Sequence, residues 1–406
     1  MCKPRLASKY TCTGCMACVD SCVHAALSSY ISADGHLYVA WNQDKCVTCG
    51  RCSSVCPIVS DFKYEVKNRK SKPYAAWANN HAIRKNSASG GVFAMMASRI
   101  LKEGGVVVGA VMRELEVKHC VVENIEDLEK LQGSKYQQGN LSGIYLQIKK
   151  ILKAGRRVLF SGTPCQVGGL YSFLSPNRYT NQLITVDLIC GGFPSLLPLQ
   201  ALIRNEMPPI IGIKSFRDKE RGWKSFGYEY HLIGLYENGK MADLGTKNIV
   251  LGAFGSHLTN RYSCFDCQFA YAHRMSDITI ADFWGEKRFP QEHNDGVSLI
   301  VVHSEIAMTL LNNSDITYKS ALWADFLYNN PRMIYAKNKY FRLYFLRVFM
   351  TFLFRKCSYA FLLQLYHGKK RGIGLLPYSG IEYVFHKINS IRQKDAIKKA
   401  IKMYDK

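Results

Sequence analysis

The sequence predicts a multidomain chain of mixed α/β and α+β class: a small cysteine-dense module first, an α/β body next, and a helical region last. Three observations predict it. Eight of the 15 cysteines fall in two matching runs that end before residue 57. From Tyr74 onward, short apolar strands alternate with helical runs, the pattern of an α/β core. After Arg332 the chain turns basic and rich in Phe, Leu and Tyr.

The first run reads Cys12-x-x-Cys15-x-x-Cys18-x-x-x-Cys22, and the second Cys46-x-x-Cys49-x-x-Cys52-x-x-x-Cys56-Pro57. This spacing ligates [4Fe–4S] clusters, and in two-cluster ferredoxins the fourth Cys of each run serves the other cluster. Cys12, Cys15, Cys18 and Cys56 are therefore expected to hold one cluster, and Cys46, Cys49, Cys52 and Cys22 the second. Thiolates spaced this way let a tight loop wrap one face of a cuboidal cluster. Gly14, Ala17, Gly50 and Ser53 let backbone N–H groups approach sulfur. Zinc sites usually use two separated C-x2-C pairs, which these runs are not. The bacterial two-cluster ferredoxin module is assigned to residues 1–62. Inside it, the turn Ala33-Asp34-Gly35 leads into a strand Leu37–Trp41, a hairpin that brings the two loops together. Lys63, Lys67, Arg69, Lys70 and Lys72 mark a charged connector.

Hydrophobic residues make up 48% of the 406, ample for a sizeable core. Met1–Arg5 lacks an apolar h-region, so no signal peptide is expected. Cysteines with cluster spacing suit a reducing compartment, so a cytoplasmic location is expected. No apolar run reaches the ~18–20 residues of a membrane span. The net charge of +23 lies largely after Arg332. A membrane surface, an acidic redox partner and a plain solvated helix face all account for it. Nucleic acid is not expected, because no recognition helix or RNP-type motif accompanies the charge.

The body divides into residues 74–195 and 196–325. Ala75–Ala78 reads as a strand. Ser89-Gly90-Gly91 then opens a helix from Val92. Its free N–H groups suit a phosphate, with Arg84 nearby, but Ser and Gly both favour N-caps, so an ordinary capped turn is the preferred reading. Gly105–Met112 and Leu115–Val122 are paired strands, and a helix begins at Glu126. Another helix runs from Leu141 to Leu152. The strand Arg157–Phe160 ends at Ser161-Gly162-Thr163-Pro164-Cys165-Gln166. The strand Leu183–Ile189 ends at Cys190-Gly191-Gly192-Phe193-Pro194. Ligands collect at such C-terminal strand ends in α/β sheets. Beyond 195, Tyr228–Leu232, Leu235–Glu237 and Lys240–Asp243 read as short antiparallel strands. A helix Val250–Leu258 leads to Cys264-x-x-Cys267. The strand before Asp282-Phe283-Trp284-Gly285, the strand Gly296–Val302 and the helix Ser304–Asn312 complete the body. In the extension, residues 326–406, the stretch Tyr340–Tyr366 carries Arg342, Arg347, Arg355 and Lys356 at helical intervals. It reads as an amphipathic helix pair, lying on a membrane surface or packed on the core.

Three segments carry a family resemblance: Ser161–Gln166, Asp187–Pro194, and Ser263-Cys264-x-x-Cys267 with Arg274, Asp277-Ile278-Thr279 and Asp282-Phe283-Trp284-Gly285. In them the chain resembles the coenzyme F420 hydrogenase/dehydrogenase beta-subunit family, in the bacterial form with a fused two-cluster ferredoxin. The resemblance spans residues 1–310. It departs at Ala281, where the family often has Gly, and at Gly139, where it often has Ser. It implies a flavin-binding body: an oxidoreductase that binds FAD and passes electrons between clusters and an organic acceptor. Members include F420-reducing subunits and ferredoxin-using chlorophyll-pathway reductases, and bacterial relatives occur in cell-surface polysaccharide biosynthesis. Carried over, Ser89, Gly90, Gly91, Gln137 and Asn140 contact FAD. Arg84, Lys135, His273, Arg274 and Asp282 join them as candidates for cofactor or substrate contact.

Cys165, Cys190, Cys264 and Cys267 fall in these motifs. They make either a third four-thiolate site or ordinary buried and flavin-adjacent thiols. Cys2, Cys120 and Cys357 read as structural. No nucleophile–base pair stands out. Two functions follow: an enzyme that delivers electrons through FAD to its own small-molecule substrate, with a ferredoxin-type donor, or an electron-transfer subunit that relays them to a partner enzyme. Iron and acid-labile sulfide should each come to about eight per chain with two clusters and about twelve with a third. A count near zero overturns the cluster assignment.

Overall fold

The computed structural model describes residues 4–61, 71–174, 179, 181–219, 222–223, 231–244, 249–255, 257, 259–284, 294–312, 315–335, 343–370 and 381–405. Most of the charged connector lies outside the described residues, as do positions 228–230 of one expected strand, Leu258, Gly285, Lys337, Lys339 and Arg342.

In the N-terminal module, β1 (Leu27–Ile31) and β2 (Leu37–Trp41) form the expected antiparallel hairpin, with Ser29 opposite Val39. The body holds β3 (Lys72–Ala78), β4 (Val106–Arg113), β5 (Glu116–Val122), β6 (Val158–Ser161) and β7 (Leu183–Leu188). A small antiparallel sheet follows, made of β8 (Ile210–Ser215), β9 (Ile233–Tyr236) and β10 (Met241–Asp243). Then β11 (Ile278–Asp282), β12 (Ser298–Val302) and β13 (Ile316–Ser320) return to the large sheet. Its order is β13-β3-β12-β11-β7-β6-β4-β5. The central β4, β6, β7 and β11 run parallel. Antiparallel pairing adds β5 on one side and β12, β3 and β13 on the other. The sheet thus takes strands from both sides of residue 195.

Val106, Val107 and Val108 are buried on both faces of the sheet, as are Leu299, Ile300 and Val301. That is why these strands read as apolar runs and not as alternations. Helices Val92–Lys102 and Glu305–Leu311 cover one face through Met96, Ile100 and Leu310. Helices Ile144–Lys153 and Pro164–Leu174 cover the other through Tyr145, Ile148 and Leu170. Ile144–Lys153 starts three residues later than expected because Gly143 sits at φ +84°, outside helical space. At the other candidate helix start, a Cβ on Gly90 would lie 2.5 Å from the Ala76 carbonyl oxygen and 2.8 Å from the Ser298 nitrogen. Glycine there lets the helix entry press against β3 and β12.

The N-terminal module shares the core of the body. Cys15, Met16, Ala17 and Leu37 pack with Ile144, Tyr145, Val167 and Leu170. Asp20, itself buried, accepts the N–H groups of Gly143 (2.6 Å) and Tyr145 (2.9 Å), so the module caps a helix of the body. Arg261 donates to the carbonyl oxygens of Cys12 and Leu37. Helices Leu343–Lys356 and Tyr359–Lys370 pack on helix Leu197–Asn205 through Leu353, Phe354, Tyr359 and Leu362. From the first of them Arg347 reaches Asp34 of the module at 2.9 Å. The last helix, Ile381–Tyr404, lays Ile397 against the cluster around Trp323. No described helix is long and apolar enough to cross a membrane.

Two outcomes are expected from this packing. Asp20→Ala strips the buried Tyr145 N–H and the half-buried Gly143 N–H of their acceptor and should cost about 1–3 kcal/mol in a urea titration of the cluster-loaded protein; an unchanged midpoint refutes the capping role. Burial also holds three histidines neutral: His36 is pushed down to about 3, and His119 and His257 to about 4. Between those values and the ordinary 6.5, the unfolded chain binds protons that the folded chain refuses. Stability therefore falls as pH drops through that window. Burial lowers His273 as well; Asp187, which burial raises to about 6, and Asp20, also raised, work the other way, but the histidines outnumber them. The urea midpoint should be lower at about pH 5.5 than at about pH 7.5, and a flat or reversed profile contradicts the assignment.

Candidate iron–sulfur and cofactor site

Cys12, Cys15, Cys18 and Cys56 line one cavity of about 200 Å³, together with Tyr38 and Ile58. These are the four cysteines that the crossed pattern assigns to one cluster. Burial pushes the Cys15 thiol up to about 12, the Ala17 N–H pulls it down, and Cys56 and Cys12 push it up again. Cys18 is raised well above its ordinary value by burial and then by Cys15, Cys12 and Cys56. Bare thiolates would repel one another here, so a cationic iron–sulfur core suits this donor set. In the other set, burial and then Cys22 raise Cys52 against the pull of its local hydrogen bonds, while Cys49 is exposed. Among the described residues, no three Cys, His, Asp or Glu side chains converge tightly enough to share a single ion. A cube of four irons needs its thiolates further apart than that.

Cys165, Cys190, Cys264 and Cys267 also meet, although they come from three separate segments. Cys165 sits in the first turn of helix Pro164–Leu174, which follows β6 directly. Cys190 follows the end of β7, and Cys264 closes a short 3-10 turn, Tyr262–Cys264. Cys264 and Cys267 pack with Cys165 among Phe193, Phe269 and Ile58. Burial raises Cys165, and Cys267, Cys190 and Cys264 add to the shift. Cys190 is pushed up to about 12 by burial and then by Cys264. The Gly192 N–H donates to Cys190 Sγ at 3.3 Å, and the Phe193 N–H to Cys264 Sγ at 3.4 Å. Such N–H contacts orient sulfur ligands and tune a bound metal centre.

The two sulfur sets lie against one helix. A Cβ on Gly169 would stand 2.9 Å from Cys15 Sγ. Gly169 follows Cys165 by four residues, a rise of about 6 Å. Ile58 lines the first cavity and also packs beside Cys165.

A larger cavity, of about 350 Å³, opens at the C-terminal ends of β6, β7 and β11, and Cys190 lines it. That size falls within the usual range of small-molecule sites. Of the expected residues, Ser89, Gly91, Lys135, Gln137 and Asp282 line it as well. Gln137 is buried, and its Nε2 has no hydrogen-bond partner among the described residues, so a donor stands ready for a bound acceptor. Burial lowers Lys135 to about 8, and its Nζ donates to the Gln132 carbonyl oxygen at 2.6 Å. A wall whose exposed area is mostly apolar, interspersed with polar side chains that include the buried Gln137 and His119, fits a planar heteroaromatic ring.

Other expected residues turn elsewhere. The Arg84 guanidinium donates twice to the Gly296 carbonyl oxygen, at 2.9 and 2.6 Å. Arg274 donates to the carbonyl oxygens of Phe269 (2.6 Å) and Met333 (3.2 Å) and lies 4.0 Å from Asp187. Asn140 Nδ2 donates to Ser29 Oγ at 3.2 Å, and His273 Nδ1 meets Ser71 Oγ at 2.9 Å. The Asp282 carboxylate reaches the cavity already engaged, by Arg217 at 2.7 Å and by the Trp223 indole N–H at 3.1 Å. Trp284 stacks on Trp223 with centroids 5.0 Å apart. The sequence reading missed His119 and Arg217 on the cavity wall. His119 reads as one position of an ordinary strand, and Arg217 stands in a stretch without a motif.

The family model for the N-terminal part of the coenzyme F420 hydrogenase/dehydrogenase beta subunit matches residues 73–144, and the model for its C terminus matches 155–319. A 4Fe-4S dicluster domain matches 11–59. A coenzyme F420-dependent sulfite reductase of Methanocaldococcus jannaschii is 34% identical over 125 residues, which are 30% of this chain and only 19% of that protein. A chain from the F420-reducing [NiFe] hydrogenase complex of Methanosarcina barkeri aligns with a TM-score of 0.43 at 17% identity, over 64% of this chain and 84% of that one. The chain thus belongs to the coenzyme F420 hydrogenase/dehydrogenase beta-subunit family and carries an N-terminal 4Fe-4S dicluster domain.

Proposed function

We propose that the protein is an iron–sulfur electron-transfer subunit of oxidoreductase type, which passes electrons between its dicluster module and a flavin-like ring held in the 350 Å³ cavity. One observation carries this: Cys165 stands on the helix that seats Cys15, Cys264 and Cys267 pack beside it, and Cys190, close enough to interact with all three, lines the cavity. When bound, the clusters supply one-electron transfer and the ring collects electrons in pairs. The chain's own residues position these groups. The eight N-terminal cysteines hold two clusters, and the four body cysteines hold a third. Phe193, Phe269 and Ile58 keep water from the body thiols. Gln137 Nε2 and the N–H groups at the start of helix Val92–Lys102 offer donors to the ring and its anionic substituents, with Lys135 beside them.

The names of the family and of the sulfite reductase speak of coenzyme F420, and neither name speaks of the FAD expected from the resemblance. The names of these relatives do not speak of polysaccharide synthesis. A substrate reduced by this chain itself has less support than the relay, because the family is described by a subunit and not by a whole enzyme.

The test is anaerobic, on the cluster-loaded full chain. Cys165→Ala should lower iron from about twelve to about eight per chain. The dicluster signal in electron paramagnetic resonance should stay, which controls for folding. Reduction of added F420 or FAD by the reduced protein should slow at least tenfold, or about 1.4 kcal/mol. A parent with eight irons, or a variant as fast as the parent, defeats the relay. Whichever ring copurifies or binds identifies the cofactor.

A further inference from the structure

From residue 326 to 381 the chain holds no Asp or Glu and ten Lys or Arg. The helix Leu343–Lys356 in this stretch has two distinct faces. The inner one carries Arg347, Leu353 and Phe354, all buried, with Met350 and Cys357 packed behind them. The outer one carries Val348, Phe349 and Phe352, which are 47%, 43% and 56% exposed. At 3.6 residues per turn these three fall with Arg355 and Lys356 inside an arc of about 120°. Arg355 and Lys356 are exposed as well. Phe361, 42% exposed, extends the apolar patch onto the next helix.

Cations at a helix C-terminus answer its dipole, which accounts for Arg355 and Lys356 but not for the bare rings. Phenylalanine rings with neighbouring cations on a helix lying flat are the chemistry of an interfacial membrane helix. Fourteen residues span about 21 Å, which suits lying in the interface and not crossing it. A second copy of this chain is a poor occupant, since it would set like charges against each other with no carboxylate on either face.

We propose that this outer face docks on an anionic lipid surface, its Phe rings entering the headgroup boundary and its cations pairing with lipid phosphates. The test is flotation of the cluster-loaded full chain with vesicles of phosphatidylcholine alone or mixed with phosphatidylglycerol. Binding is expected to the mixed vesicles and not to the neutral ones, and it should weaken strongly near 1 M salt, where the screening length is about 3 Å. The double substitution Phe349→Ser with Phe352→Ser should weaken binding at least tenfold while iron content stays unchanged. Three results overturn the proposal: no binding to the mixed vesicles, equal binding by the variant, or a concentration-dependent dimer in sedimentation that the variant abolishes. Capture by a soluble acidic protein, with no vesicle binding, overturns it as well.

Discussion

Arg261 is fully buried, and its guanidinium bridges the parts of this molecule that must stay together. It donates to the Cys12 carbonyl oxygen in the first cluster loop (2.6 Å) and to that of Leu37 in the hairpin. It reaches Gln138 Oε1 at 3.3 Å, on the loop that lines the larger cavity, and lies 4.0 Å over the Tyr38 ring. Its own N–H donates to Phe193 at 2.8 Å, and its carbonyl accepts from Cys264 at 3.0 Å. A charge so far from water is costly unless it is densely hydrogen-bonded. Here carbonyl oxygens and a π face offset the cost. The consequence is that the cluster loop, the hairpin and the Cys264 turn have one common position relative to each other.

The same closeness appears in helix Pro164–Leu174. Nearly every residue of it is buried, so it runs through the protein and not along it. Its first turn presents Cys165, and its second presses bare backbone at Gly169 against Cys15. A Cβ at 169 would stand 2.9 Å from Cys15 Cβ and Sγ, so Cys15 would have to move away. The close approach of the two sulfur sets is therefore a backbone property, fixed by one missing Cβ, and the surrounding side chains only seal it.

The eight N-terminal cysteines were legible because cluster ligation by one loop fixes spacing along the chain itself. The strand–helix alternation was legible for a similar reason, since burial on both faces forces continuous apolar runs. The body cysteines read either as one four-thiolate set, from a C-x2-C pair and two strand ends, or as ordinary thiols, and the fold packs Cys264 and Cys267 beside Cys165. β8 and β13 went unforeseen because neither reads as an apolar run: Gly212 and Lys214 interrupt β8, and β13 turns polar at a sheet edge. Charge misled most. Arg84 and Arg274 carry the right chemistry for an anion, yet each directs its donors to backbone carbonyl oxygens. Sequence reveals a guanidinium but not which way it turns. Gln137 was found because the loop around it was marked, and its value lies in the donor that the fold leaves unused.

Net charge needs the same correction. A total of +23, much of it after Arg332, suggests a basic surface there, but some of the cations are structural. Arg347 is buried against Asp34 and sits 3.7 Å over the Tyr262 ring. Arg217 is buried against Asp282. These charges hold the module and the cavity wall, and a partner outside never meets them. What remains outside is patterned: on helix Leu343–Lys356 one cation locks inward while two stand beside exposed rings. A helix that only packed on the core would gain nothing from those rings. A helix that only bound a surface would not bury an arginine against the cluster module. The two faces answer different constraints, and the helical period lets one short segment satisfy both.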